Sequence, residues 1–202
     1  MTRNTALLVI DVQRDFCAGG ALAVPDGDAV VPVINALARR YATVVITQDW
    51  HPSHHVSFAS EHAGRAPFET ITLSYGPQVL WPDHCVMGSA GAALHPALDI
   101  PHASLILRKG SNRDIDSYSA FLEADRITRT GLDGYLAARG ITVVDLCGLA
   151  TDYCVAWSAQ DARWFGLAAT VIEPACRAID QAGSLAAAWD AMAAAGVGRA
   201  AG

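Results

Sequence analysis

The chain has 202 residues, 52% of them hydrophobic and 17% charged, which fits one globular domain over residues 1–202 with a substantial core and leaves little room for a second. Fourteen basic against 20 acidic residues give a formal net charge of -6 with no basic block, which argues against nucleic acid or a membrane surface as partner and for a small molecule. The apolar run Ala6 to Ile10 is too short for a signal-peptide core, and five cysteines without a CxxC pair fit free thiols in a reducing compartment, so a cytoplasmic protein is expected.

Short β-branched runs alternate with longer alanine-rich segments of helical spacing, the pattern of an α/β fold on a mostly parallel sheet. Leu7 to Asp11 reads as the first strand. After Gly19-Gly20 and Pro25-Asp26-Gly27, Asp28 is placed to cap a helix running through Val33, Leu37 and Arg40. Thr43 to Gln48 is the second strand. Asp49 to about Pro101 reads as one long irregular stretch holding most of the histidines, and loops of that length tend to be functional. Strands follow at Ser104 to Arg108, Thr142 to Cys147 and Ala168 to Ile172, with helices at Gly131 to Arg139, Asp152 to Phe165 and Gln181 to Ala195. The tail from Gly196 reads as either frayed or a weak last strand.

Ligands of open parallel α/β sheets bind beyond the carboxyl ends of the strands, and those ends carry reactive residues here. The first strand ends at Asp11 and the second runs into Asp49 and His51. The third ends at Lys109, the single lysine of the chain, and the fourth passes Gly148 and leads to Cys154. Taken singly, each has a bland explanation as a turn residue, a cap or a small buried hydrophobe. Four such strand ends in succession point to one crevice.

Cys154 falls in the first turn of the expected helix, where the partial positive charge of a helix terminus should lower its pKa and raise the thiolate fraction. Backbone N–H groups near Ala150 and Cys154 are placed to hold an oxyanion. Cys17 and Cys85 compete as nucleophiles without a supporting helix end, and Cys147 reads as packed in its strand. The base is either a histidine from the long irregular stretch or Asp11, with the Lys109 ammonium stabilising the adjacent anion. Asp49, His51 and His84 suit an open divalent-metal site with water at the remaining positions. His55 stands open as a fourth ligand, Cys85 keeps a mixed site possible, and His62, His95 and His102 read as solvent-exposed.

These residues resemble the nicotinamidases, which also act on pyrazinamide, within the isochorismatase-like cysteine hydrolases. The resemblance covers nearly the whole chain: Asp11-Val12-Gln13-Arg14-Asp15-Phe16-Cys17, Asp49-Trp50-His51-Pro52, Trp81-Pro82-Asp83-His84-Cys85, Lys109-Gly110, and Gly148 through Val155. It implies a three-layer αβα fold with a six-stranded, mainly parallel, doubly wound sheet and a cis Leu149-Ala150 peptide. It also implies hydrolysis of nicotinamide to nicotinate and ammonia in NAD salvage, through a thioester on Cys154. Asp11 would act as base and acid, Ala150 and Cys154 N–H groups as the oxyanion hole, and Phe16, Leu22, Trp81 and Tyr118 as substrate walls. One divalent metal (zinc, iron or manganese, zinc first) would sit on Asp49, His51 and His84. Some relatives have histidine where this chain has Tyr153. The rival readings are a metal-independent ureido or carbamoyl amidohydrolase of the same superfamily and a non-catalytic binding protein on this fold. Assembly into a homo-oligomer stays open.

Overall fold

The computed structural model describes residues 4–201. β1 (Thr5–Ile10) is followed by α1 (Val30–Ala38) and β2 (Thr43–Asp49), then a hairpin of β3 (Thr70–Leu73) and β4 (Gly76–Val79). The chain continues through β5 (Leu105–Lys109), α2 (Leu132–Ala138), β6 (Val143–Leu149), α3 (Ala156–Trp164), β7 (Ala168–Arg177), α4 (Ser184–Ala194) and β8 (Gly198–Ala200). β5, β2, β1, β6, β7 and β8 lie side by side in that order as one sheet, and every pairing in it is parallel.

The central strand explains this placement. Ala6 through Ile10 are wholly buried, the unbroken apolar run of a parallel strand covered on both faces. From β1 the chain winds through α1 to β2 on one side, and later through α3 and α4 to β7 and β8 on the other. With right-handed crossovers this puts α1 on one face and α3 and α4 on the opposite face. The order reverses between β1 and β6, so the crevice at their carboxyl ends is the topological switch point.

Three expectations change, and one open alternative is settled. The irregular stretch contains the β3–β4 hairpin, whose Pro77 and Gly76 mask its strand character. Asp28 does not cap α1; its carboxylate accepts the Ala18 N–H (2.8 Å), and Ala29 precedes the helix. β7 runs on to Arg177 because Pro174, which lacks an N–H, sits where pairing with β6 shifts register. The tail forms a strand, β8, paired to β7. Among the described residues no helix is long and apolar enough to cross a membrane.

Candidate active site

Asp11, Asp49, Lys109 and Cys154 meet at the carboxyl ends of β1, β2, β5 and β6, all buried. Lys109 Nζ lies 2.9 Å from Asp11 Oδ2, donates to Asp49 Oδ1 and to the Ser117 carbonyl (2.8 Å), and stands 3.5 Å from Cys154 Sγ. Thr47 fixes the far side of Asp11 by accepting its N–H (3.1 Å) and donating to Oδ1 (2.5 Å). Oδ2 has its ion pair with Lys109 but no directed hydrogen bond, so a lone pair remains for the thiol; donor atoms of Asp11, Asp49 and Cys154 all lie within 4.8 Å of one another.

β6 delivers Cys154 through an unusual turn. Gly148 crosses β1 with φ +117, and a Cβ there would stand 2.1 Å from the Ile10 carbonyl oxygen, so only glycine fits. The Leu149-Ala150 peptide is cis, as the resemblance implied. Thr151–Val155 then forms a single π turn before α3, where the sequence suggested a regular helix from Asp152. The Ala150 carbonyl accepts the N–H groups of Tyr153 and Val155, both at 3.1 Å, and passes over that of Cys154 between them. Asp152 ties the turn to the opposite rim by accepting the N–H groups of Ile179 (3.1 Å) and Asp180 (2.8 Å) and the Ser184 hydroxyl (2.5 Å).

Burial pushes the Cys154 thiol well above its ordinary value, against the opposing pull of Lys109. This corrects the expectation of a lowered pKa: full desolvation outweighs a turn terminus. Burial also raises Asp11, with Lys109 working against it and Asp49 adding to it. The Lys109 ammonium is held well above its ordinary value; burial opposes this, and Asp11 and Asp49 override burial. Asp49 is held low although burial opposes it, because Lys109 and His51 lie beside it.

Asp49, His51 and His84 form a second group, all buried, with donor atoms within 4.8 Å of one another. Asp49 Oδ2 lies 3.6 Å from His51 Nε2 and 3.9 Å from His84 Nε2. His51 Nδ1 faces the Gly110 carbonyl (3.0 Å) and His84 Nδ1 the Pro82 carbonyl (2.8 Å). Each Nδ1 must donate there, so in the neutral ring each Nε2 presents a lone pair toward Asp49, the orientation of metal-ligating histidines. One carboxylate and two imidazoles with fixed tautomers fit a divalent ion. Gln13 clamps the Asp49 backbone, with Oε1 accepting its N–H and Nε2 donating to its carbonyl, both at 2.8 Å. Asp15 accepts the Cys85 N–H (2.7 Å) beside His84.

His55 is no fourth member. It stacks on His51 at 4.2 Å, but its nitrogens face Ser57 Oγ (2.7 Å) and the Ile115 carbonyl (3.3 Å). His62 and His95 are half-buried rather than exposed, bonded to the Val56 carbonyl and to Asp28. His95, Asp28 and Cys17 also cluster, yet His95 Nδ1 accepts the Ala97 N–H, so Nε2 carries a proton toward Asp28 and offers no lone pair. Cys17 is raised to about 11 by burial and by Asp28, and Cys85 well above its ordinary value by burial; neither touches Lys109. They are not rivals to Cys154.

The two groups open onto one chamber with about 330 Å³ of empty space including its mouth. Phe16, Leu22, Trp81 and Tyr118 line it with Asp49, His84, Ala150 and Cys154, and so do Asp116, Tyr153 and Ile179. Trp81 Nε1 donates to the Tyr118 hydroxyl (3.0 Å), and the Trp81 and Tyr153 rings meet edge to face at 4.8 Å.

The profile of the Isochorismatase domain matches residues 5–200. A nicotinamidase of Acinetobacter baylyi is 60% identical over 196 residues, 97% of this chain and 92% of its own. The chain belongs to the isochorismatase-like nicotinamidase family. A solved nicotinamidase/pyrazinamidase of Acinetobacter baumanii superposes with a TM-score of 0.98 at 56% identity, covering 98% of this chain and 96% of its own. The pyrazinamidase of Pyrococcus horikoshii, solved with zinc, gives a TM-score of 0.80 at 32% identity, with 98% of each chain covered.

Family membership accounts for the five motifs, but the sequence carries no signal for Asp116 and Ile179 as chamber residues or for Gln78, on β4, as the partner of Asp116. An aspartate in Asp116-Ser117-Tyr118 carries no spacing signal, because the loop after Lys109 places it by tertiary contact alone. The sequence marks Tyr153 only as a departure from some relatives; its ring is a wall of the chamber.

Proposed function

We propose that the protein is a nicotinamidase, hydrolysing the carboxamide of nicotinamide, and of pyrazinamide, to the carboxylate and ammonia. The observation that carries the reading is the meeting of Asp11, Lys109 and Cys154 beside the Asp49–His51–His84 group in one chamber. The names of the Acinetobacter relatives support the substrate.

A thiol raised by burial rests protonated and needs a base in contact, and Asp11, raised by the same burial, is a stronger base than a solvated carboxylate. Asp11 takes the Cys154 proton as sulfur attacks the carboxamide carbon, while Lys109 balances the shifting negative charge. The N–H groups of Ala150 and Cys154 receive the oxyanion. Asp11 returns its proton to the leaving nitrogen and ammonia departs; water, deprotonated by Asp11, then attacks the thioester carbon, the C–S bond breaks to release the acid, and Asp11 returns that proton to the Cys154 sulfur. Phe16, Leu22, Trp81 and Tyr118 hold the ring, with Tyr153 as a further wall.

Asp49, His51 and His84 would hold one divalent ion, zinc first, which supplies a Lewis-acid position for the pyridine nitrogen. Ammonia release from nicotinamide, measured beside elemental analysis of the purified protein, tests the reading. Turnover that survives exhaustive metal removal would instead favour a metal-independent amidohydrolase. The domain reading stays a single unit over residues 1–202, with a small molecule as partner.

A further inference from the structure

We propose that Asp116 is an outer carboxylate of the metal centre: it takes no place in the Asp49–His51–His84 set but fixes how tightly that set holds a divalent cation. The inference rests on the metal reading above.

Three observations carry it. Asp116 is 2% exposed and lines the chamber with Asp49 and His84, and its carboxylate, His51 and His55 have donor atoms within 4.8 Å of one another. It is held in place rather than loose: Oδ2 accepts from Gln78 Nε2 (2.7 Å) and Oδ1 from the Ser117 N–H (2.8 Å). Gln78 is itself fixed by the Tyr75 hydroxyl (2.9 Å) and the Val79 carbonyl (2.7 Å). Both oxygens act as acceptors there, and each retains a further lone-pair direction.

The third observation is charge. Lys109 is the only Lys or Arg buried among the described residues, and it pairs with Asp11 and Asp49. Buried Asp161 has Arg126, and Asp152 has three donors. Asp116 has no Lys or Arg partner among the described residues, and its neighbours His51 and His55 face Asp49 and Ser57. Buried Asp11 and Asp49 thus share the Lys109 ammonium, while Asp116, which lines the chamber with Asp49, has no such cation beside it. A buried carboxylate without a Lys or Arg partner is costly, and a divalent cation in the adjacent Asp49–His51–His84 group would offset that cost. Outer partners of metal sites typically change affinity by about 10- to 100-fold.

The test is zinc affinity of the metal-free full chain, read by competition with a chromogenic chelator, alongside its unfolding temperature. Asp116→Asn should weaken zinc binding by about tenfold or more. Its metal-free form should melt no lower than wild type, because a buried unpaired charge has gone. Asp116→Ser makes the same comparison if the new amide clashes with Gln78. Gln78→Met, which frees Oδ2 but keeps the carboxylate, should lower the metal-free melting temperature and weaken zinc binding clearly less than Asp116→Asn does. Unaltered zinc affinity in both Asp116 variants would overturn the proposal, as would equal losses in Gln78→Met and Asp116→Asn. Asp49→Asn separates the two readings: wild-type zinc affinity there would refute the metal centre itself.

Discussion

The Lys109 ammonium donates to Oδ1 of Asp49, the carboxylate whose other oxygen lies 3.6 Å from His51 Nε2. One aspartate thus joins the thiol cluster to the histidine cluster. Lys109 is not merely a cation beside Cys154; it also orients the carboxylate that faces His51 and His84. A planar guanidinium cannot reach Asp11, Asp49, the Ser117 carbonyl and Cys154 from one point. Lys109→Arg is expected to lower kcat by about 100-fold or more and to reduce bound metal, with the circular dichroism of the fold retained. Near wild-type kcat would show that charge alone suffices.

Gly110 makes the other contact that positions His51. Its φ of +69 suits glycine, and a Cβ would stand 2.5 Å from His51 Cε1 and 2.7 Å from Nδ1. Gly110→Ala should therefore turn the ring away from Asp49. Metal affinity should drop by about 10- to 100-fold, with about 1 kcal/mol or more of stability lost. Elemental analysis and chemical denaturation read the two effects; full metal occupancy after dialysis would contradict this role of Gly110.

Alkaline stability has a definite sign. Cys17 is raised to about 11 and Cys176 to about 12, in both cases first by burial, and Cys85, Cys147 and Cys154 are raised well above their ordinary values. Between the unfolded thiol value of 9.0 and these folded values the native state binds more protons, so its stability is full below pH 9 and declines as pH rises above it. Lys109, also raised, adds in the same direction above its unfolded value of 10.5. Thermal unfolding midpoints should fall steadily from about pH 9 to about pH 12, and a flat profile would contradict the buried, protonated thiols.

Much of this was legible because parallel strands advertise themselves. The buried run Ala6 to Ile10 and the β-branched Val143-Val144 marked β1 and β6, and polar residues just beyond such strands could be read as crevice residues without coordinates. What stayed hidden depends on long-range packing. The β3–β4 hairpin was masked by Gly76 and Pro77, so Gln78 had no visible place opposite Asp116. The Cys154 pKa was misjudged for a related reason: sequence shows a helix start, whereas the degree of desolvation is set by Trp81, Tyr118 and Tyr153, which come from distant segments to wall the chamber.

Cys154, and none of the other four cysteines, is the proposed carrier of the reaction. That role is tested most directly by ammonia release from nicotinamide in wild type and Cys154→Ala at matched metal content. Cys154→Ala is expected to lose about three orders of magnitude or more in kcat, with metal still bound and Cys17→Ser and Cys85→Ser still active. Turnover within tenfold of wild type in Cys154→Ala would contradict it.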